Sequence, residues 1–379
     1  MLFRSGNGWG PLGLGMNSNV YALAVSGTNL YAGGQFTTAG GVEANCVAQW
    51  NGSTWLALGS GIGGEGTPVV YALAVSGSDL YAAGDFTAAG GISAGCIAKW
   101  NGRYWSALGS GLSGAVYALA VNGTDLFAGG EFWYAMNAGQ SPIRVNRIAK
   151  WNGSTWSALG SGMYNYSVIA LALMGSDLYA GGDFLLTQGG GAGDFIAKWN
   201  GNAWSALGLR ICGSYESPSV NALLASVTNL YAAVPCTTES GQPMFDILIW
   251  DGAVWSAMGW GMNREVYALA LLGTDLYAGG IFKRAGNKVS ALVAKAMLTL
   301  PPAGGLARTM AVSNGIPSIV FQGTPGSPYD VQRTTSLSPP VEWTTLTASS
   351  PLTPAADGLF TFTDTNAPVG TAYYRSGPR

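Results

Sequence analysis

The sequence predicts an all-β chain: a six-bladed β-propeller closed by an N-terminal strand, followed by a small Ig- or fibronectin-like β-sandwich. Three observations predict it. One block of roughly 50 residues recurs six times, a period that fits propeller blades and exceeds that of leucine-rich repeats. Each block divides into short runs rich in β-branched and aromatic residues and bounded by Gly, Asn, Asp or Ser, the composition of strands and hairpins. No window carries a helical period.

The first run of each block is VYALAV or a variant, beginning at residues 20, 70, 116, 168, 220 and 266. A turn such as SGTN, SGSD or NGTD leads to the second run: LYAGGQF, LYAAGDF, LFAGGEF, LYAGGDF, LYAAVPC and LYAGGIF. A variable loop precedes the third run, of the type IAKWNG, and W-S-A-L-G or a close variant closes the block. Four short antiparallel strands per block make a blade. The sixth block has VAKAML at 293–298 but no W-x-x-L-G after it, whereas Trp9-Gly-Pro-Leu12-Gly13 precedes the first block. An N-terminal fourth strand completing the last blade is therefore expected.

Eleven of the 14 Trp fall in two slots: Trp50, Trp100, Trp151, Trp199 and Trp250 in the third strand, and Trp9, Trp55, Trp105, Trp156, Trp204 and Trp255 in the fourth. Residues locked to the repeat serve the repeat, so these rings are expected to pack between neighbouring sheets. The GG pair, then a Trp where kelch has Tyr, then a second Trp five residues later resembles kelch-like propeller repeats. The G-G-x-F ending is closer to propeller repeats of bacterial secreted proteins and of a fungal cell-polarity ectodomain. The resemblance covers residues 1–298 and implies a fold rather than an activity.

Pro301-Pro302-Ala-Gly-Gly marks a linker over 299–305. Residues 306–379 read as a separate domain with strands at ARTMAVS, IPSIVFQG, YDVQRTT, VEWTTLT, LFTFTD and AYYRSG. The layout PGSPYDVQRTTSL, VEWTTL, DGLFTFTD, YYR resembles a carboxy-terminal domain of secreted verrucomicrobial and planctomycete proteins. A domain this small is marginal alone, so docking on the propeller or on another copy is expected.

Composition bounds the function. With 17 Lys+Arg against 19 Asp+Glu there is no basic face for nucleic acid, and with no His the His-dependent metal sites and nucleophile systems are excluded. No apolar stretch approaches the ~18 residues of a membrane span, and no signal-peptide core opens the chain. Few charges beside many Ser, Thr, Asn, Gly and aromatic residues suggest export, with any leader absent from this chain. No cofactor is expected.

Loops joining strands two and three emerge on the same face as the links between blades. The longest, Glu131 to Arg147, holds Trp133 and Tyr134; Tyr164, Tyr166, Tyr215 and Trp260 lie in loops of that face. Aromatic platforms beside hydrogen-bonding groups suit sugar rings, or pack on the rim. Asp85, Glu131 and Asp183 fill the x of G-G-x-F in consecutive blades, a candidate cation site or acid/base set, or else a loop hydrogen bond. Cys212 and Cys236 fall on one face of blade five and form a candidate disulfide, whereas Cys46 and Cys96, in equivalent slots of adjacent blades, are expected to stay thiols. The N-G-S and N-G-T acceptors read as hairpin turns. The turn residues Asp79, Asp125, Asp177 and Asp275 read as structural, and Lys99, Lys150, Lys198 and Lys295 as solvent-facing.

These readings favour a non-enzymatic extracellular structural or interaction protein that self-assembles into a fibre or ordered homopolymer through its C-terminal domain. A carbohydrate-binding propeller is the alternative, and a polysaccharide-degrading enzyme the third.

Overall fold

The computed structural model describes residues 2–5, 8–184, 186, 195–208, 219–237, 243–258, 261–272, 275–286, 288–290, 292–297, 306–313, 316–322, 328–335, 344–347, 352–353, 359–368 and 372–378. The chain is all-β, with no helix among the described residues. Five four-stranded antiparallel sheets succeed one another. Sheet one comprises Val20–Ser26, Asn29–Gly34, Val47–Trp50 and Trp55–Ala57. Sheet two comprises Val69–Ser76, Asp79–Asp85, Ile97–Trp100 and Trp105–Ala107, and sheet three Val116–Asn122, Asp125–Gly130, Ile148–Trp151 and Trp156–Ala158. Sheet four comprises Val168–Met174, Asp177–Gly182, Ile196–Trp199 and Trp204–Ala206, and sheet five Ala222–Ala225, Leu230–Thr237, Pro243–Trp250 and Trp255–Ala257. Sheet six has Val266–Leu272, Asp275–Gly280 and Val293–Met297.

Consecutive sheets bury their faces against each other. Tyr31, Cys46 and Val47 of sheet one share a core with Val70, Leu80 and Ala82 of sheet two. Tyr81 and Ile97 do the same with Val116 and Leu126, Phe127 and Ile148 with Val168 and Leu178, and Tyr179 and Ile196 with Val220 and Leu230. The first glycine of the GG pair makes room for this: a Cβ on Gly33 would lie 2.5 Å from a methyl of Val70, and one on Gly129 2.4 Å from Val168. At the ends of the array these faces are bare. Leu23 and Val25, in the places of Leu73 and Val75, are 50% and 67% exposed. Among the described residues, a Cβ on Gly279 would meet only Ala268, at 3.9 Å.

The Trp slots do two jobs. Each third-strand Trp faces the fourth-strand Trp of its own sheet, with ring centroids 5.3–5.5 Å apart from Trp50–Trp55 to Trp250–Trp255. The fourth-strand indole N–H then donates to the preceding W-x-x-L-G segment: Trp55 to the Leu12 carbonyl (3.0 Å), Trp105 to Leu58 (2.8 Å), Trp156 to Leu108 (2.8 Å), Trp204 to Leu159 (2.8 Å) and Trp255 to Leu207 (3.0 Å). The rings thus pair within a sheet and bond between repeats.

The expected closing strand has a different neighbour. Gly8–Pro11 pairs with Leu2–Ser5, with Arg4 opposite Trp9, rather than with Val293–Met297. This is the register of a third and fourth strand, as in Trp50 opposite Trp55. A half-repeat therefore precedes sheet one, which the sequence reading missed because Arg4 stands where the other repeats carry Trp.

The turn aspartates and strand lysines also form a set. Lys99 pairs with Asp79 (3.0 Å), Lys150 with Asp125 (2.6 Å), Lys198 with Asp177 (2.5 Å) and Lys295 with Asp275 (2.9 Å). The lysines are therefore ion-paired, not merely solvent-facing. Asn51, Asn101, Asn152 and Asn200 each accept N–H bonds from the residues two and three ahead, which closes the W-N-G turn.

Contacts divide the chain into two compact units, residues 1–270 with 277–294 and residues 271–276 with 295–379. In the second unit, Leu306–Ser313, Ile316–Gln322 and Leu359–Thr363 form one three-stranded sheet, and Thr344–Thr345, Tyr329–Thr334 and Tyr373–Pro378 another. Ile319, Phe321, Tyr329, Val331 and Phe360 make its core, with Phe360 stacked on Phe321 (5.4 Å) and Tyr329 (5.2 Å). Buried Asp364 accepts from Arg333 (2.6 Å) and Tyr374 (2.8 Å). Burial opposes its ionisation, but these bonds and the Asn366 N–H outweigh it and hold the carboxyl below its ordinary value.

Candidate functional site

The loop face is built from small sheets. In sheet two's loop, Ala88–Ala89 pairs with Ile92–Ser93 and with Ile62–Gly63 of the link from sheet one. In sheet three's loop, Tyr134–Met136 pairs with Ile143–Arg144 and with Gly111–Leu112. Each hairpin is thus stitched to the preceding inter-sheet link, and a Trp supports it: a Cβ on Gly40, whose φ is +60°, would lie 2.9 Å from the Trp55 ring. Among the described residues, the loops of sheets one, two, three and six are short paired hairpins.

Sheet three's hairpin, the largest among the described residues, carries Trp133 and Tyr134, and the link that follows sheet three carries Tyr164 and Tyr166. Trp133 is 38% exposed, Tyr134 43% and Tyr166 63%, whereas Tyr164 is half-buried. Trp133 is already engaged: the Arg147 guanidinium lies 4.2 Å from its ring centroid and that of Arg144 5.5 Å. Sequence reasoning missed Arg147. It is buried, left-handed at φ 73°, and donates to the carbonyls of Glu131 (2.6 Å) and Asn165 (2.9 Å), tying the hairpin to the Tyr164–Tyr166 link. Burial lowers its pKa, with Glu131 and Asp183 working against the shift. Cys46 and Cys96 occupy the same left-handed slot, and the Cys46 thiol reaches the Pro68 carbonyl (3.1 Å) of the next link. A common backbone task was hidden under unlike side chains. Both cysteines are buried free thiols, and burial pushes Cys46 up to about 11.

Of the three carboxylates, Glu131 and Asp85 bear on Tyr117, and Glu131 and Asp183 on Arg147. Asp85 and Glu131 are exposed, and both act on Tyr117, whose hydroxyl donates to Glu131 (2.7 Å); burial foremost, then that bond, raises the Tyr117 pKa. Asp183 takes the Ser167 N–H (2.6 Å). Tyr71 and Tyr117 are the extra residues of β-bulges in their first strands, and they continue a row of rings from Tyr21, with centroids 5.6 and 5.4 Å apart. Each carboxylate belongs to a different sheet, and among the described residues no group of three His, Cys, Asp or Glu is placed to hold a metal.

Tyr215, Trp260 and Cys212 lie outside the described residues. Cys236 is placed in a strand, opposite Met244, and not in a loop: sheet five's second strand runs on to Thr237, and its A-V-P-C lacks the glycine present at the end of the other second strands.

The family model of the Rax2 C-terminal beta propeller domain matches residues 9–174. No curated protein matches. Among solved structures, the computationally designed Ika8 protein is similar at 17% identity and a TM-score of 0.45, over 82% of this chain and 85% of its own. The designed Ika4 protein is similar at 17% identity and a TM-score of 0.31, over 49% and 94%. A puromycin-hydrolyzing peptidase of Mycobacterium tuberculosis is similar at 12% identity and a TM-score of 0.38, over 82% and 59%. The family match, together with successive antiparallel sheets packed face to face, makes the repeat region a β-propeller.

Proposed function

We propose that the chain is a non-enzymatic structural and interaction protein of the cell exterior, a six-bladed propeller carrying a small β-sandwich, which self-assembles through its C-terminal domain. The observation that favours interaction over catalysis is how the chemistry-bearing groups are spent. Glu131 holds a tyrosine, Asp183 holds a backbone N–H, and Arg147 holds two carbonyls, all in the service of loop geometry. Self-association is supported by apolar residues left exposed on the second unit, Val312, Ile316, Leu359 and Tyr373.

Closure of the propeller is part of the proposal. It lays Val20 and Leu23 over Gly279, as Val70 and Leu73 lie over Gly33. Gly8–Pro11 then exchanges Leu2–Ser5 for Val293–Met297. Sedimentation of the full chain tests assembly: Val312→Glu with Ile316→Lys should shift a polymer to monomer. A wild-type chain that stays monomeric as concentration rises overturns it.

A second reading, glycan binding, is favoured by the exposed rings of Trp133, Tyr134 and Tyr166 on the hairpin and link that Arg147 ties together. Glycan-array screening of the full chain tests it, and a blank array defeats it.

A further inference from the structure

Arg144 differs from the lysines of the third strands. Lys99, Lys150, Lys198 and Lys295 each have a carboxylate partner, whereas among the described residues no carboxylate pairs with Arg144. Its side chain is nevertheless held. The Nε–H donates to Asn146 Oδ1 (2.8 Å), Asn146 is fixed in turn by donating to the Ser161 carbonyl (2.7 Å), and the guanidinium lies over Trp133. Trp133 is itself anchored, its N–H on the Ser113 hydroxyl and its carbonyl taking the N–H of Val145 and Asn146. The two terminal amino groups of Arg144 have no hydrogen-bond partner among the described residues. Directly opposite in the hairpin register is Tyr134, exposed on the same face.

We propose that Arg144 and Tyr134 form a subsite for an acidic sugar, with the guanidinium fork taking the carboxylate or sulfate oxygens and the Tyr134 ring meeting the sugar's C–H face. A planar fork matches a carboxylate with two parallel bonds, and pinning Nε while the guanidinium sits over the Trp133 ring removes side-chain freedom that binding would otherwise cost. This subsite rests on the glycan reading and makes it specific: the polymer is anionic. The corresponding hairpins of sheets one, two and six are Thr38–Ala39 with Val42–Glu43, Ala88–Ala89 with Ile92–Ser93 and Arg284–Ala285 with Lys288–Val289, and none of these three sets an aromatic ring opposite an arginine.

The test is calorimetric titration of the full chain with three probes: an oligogalacturonate, the same oligosaccharide after carboxyl reduction, and a sulfated dextran oligosaccharide. The acidic probes should bind and the reduced one should not, and whichever acid binds tighter identifies the anion. Arg144→Gln should weaken binding roughly ten- to a hundred-fold, as loss of a charged bidentate contact does, with the melting temperature unchanged. Arg144→Lys should fall between, and Arg103→Gln, on an exposed turn, should bind as wild type. Equal binding of the reduced probe overturns the acidic subsite and leaves the glycan reading standing. Binding of none of the three overturns the subsite and counts against the glycan reading as well. Acidic binding that Arg144→Gln and Arg144→Lys leave intact places the site elsewhere and overturns the assignment.

Discussion

The indole N–H of Trp156 meets the carbonyl of Leu108 at 2.8 Å, joining residues 48 positions apart in the chain. Trp156 is almost wholly buried, so this bond also satisfies a carbonyl with little access to water. Trp156→Phe keeps a ring but strands that acceptor and should cost about 2–4 kcal/mol in chemical denaturation. Trp204→Phe, at a less buried rung, should cost less. Equal and negligible losses would mean that the ladder follows from packing and does not support it.

The Lys–Asp pairs should contribute little individually. Lys150 and Asp125 are each about one-third exposed, so Lys150→Gln with Asp125→Asn should change stability by less than about 1 kcal/mol in denaturant titration. The first repeat already carries Asn29 and Gln49 in these places. A loss of several kcal/mol would reveal a stronger coupling.

Cys46 is expected to resist alkylation in the folded protein up to about pH 9 and to react on unfolding. Its folded pKa, about 11, lies above the ordinary thiol value, so the folded state holds the proton that the unfolded state releases. The associated stability is full below pH 9 and declines as pH rises through about 11. Rapid labelling of native protein at pH 8, read by mass spectrometry, would contradict the burial.

Asp364 gives the opposite sign. Its carboxyl is held below the usual range, so its contribution is present above the unfolded pKa of 3.8 and lost as pH falls through the lower folded value. Asp364→Ala leaves Arg333 and Tyr374 without their shared partner and should cost about 3–5 kcal/mol. Hydrogen exchange of the Tyr329–Thr334 strand in the full chain should accelerate accordingly, and unchanged protection would count against the pairing.

Much of the fold was legible because the repeat displays it: slots that recur with Trp, GG or N-G announce strands and turns before any contact is known. The six tail strands were read from the same alternation and punctuation, and each has a counterpart in the structure. What stayed hidden were relationships between slots. The Asp–Lys pairs could have been inferred, since Asn29 occurs with Gln49 and Asn229 with Ile249, so that the charges vanish together. The half-repeat at Leu2–Pro11 was obscured by Arg4, and the role of Arg147 by cysteine in the same slot. Trp133 was recognised as a surface ring, but the two arginines over it depend on hairpin geometry that the sequence does not display.

Negative-stain electron microscopy of the purified full chain tests the central claim most directly. The account predicts face-on class averages with six lobes around a central hole, joined into strings or ordered arrays as concentration rises. Open arcs would contradict the closed propeller, and isolated particles at every concentration and salt would contradict the structural role.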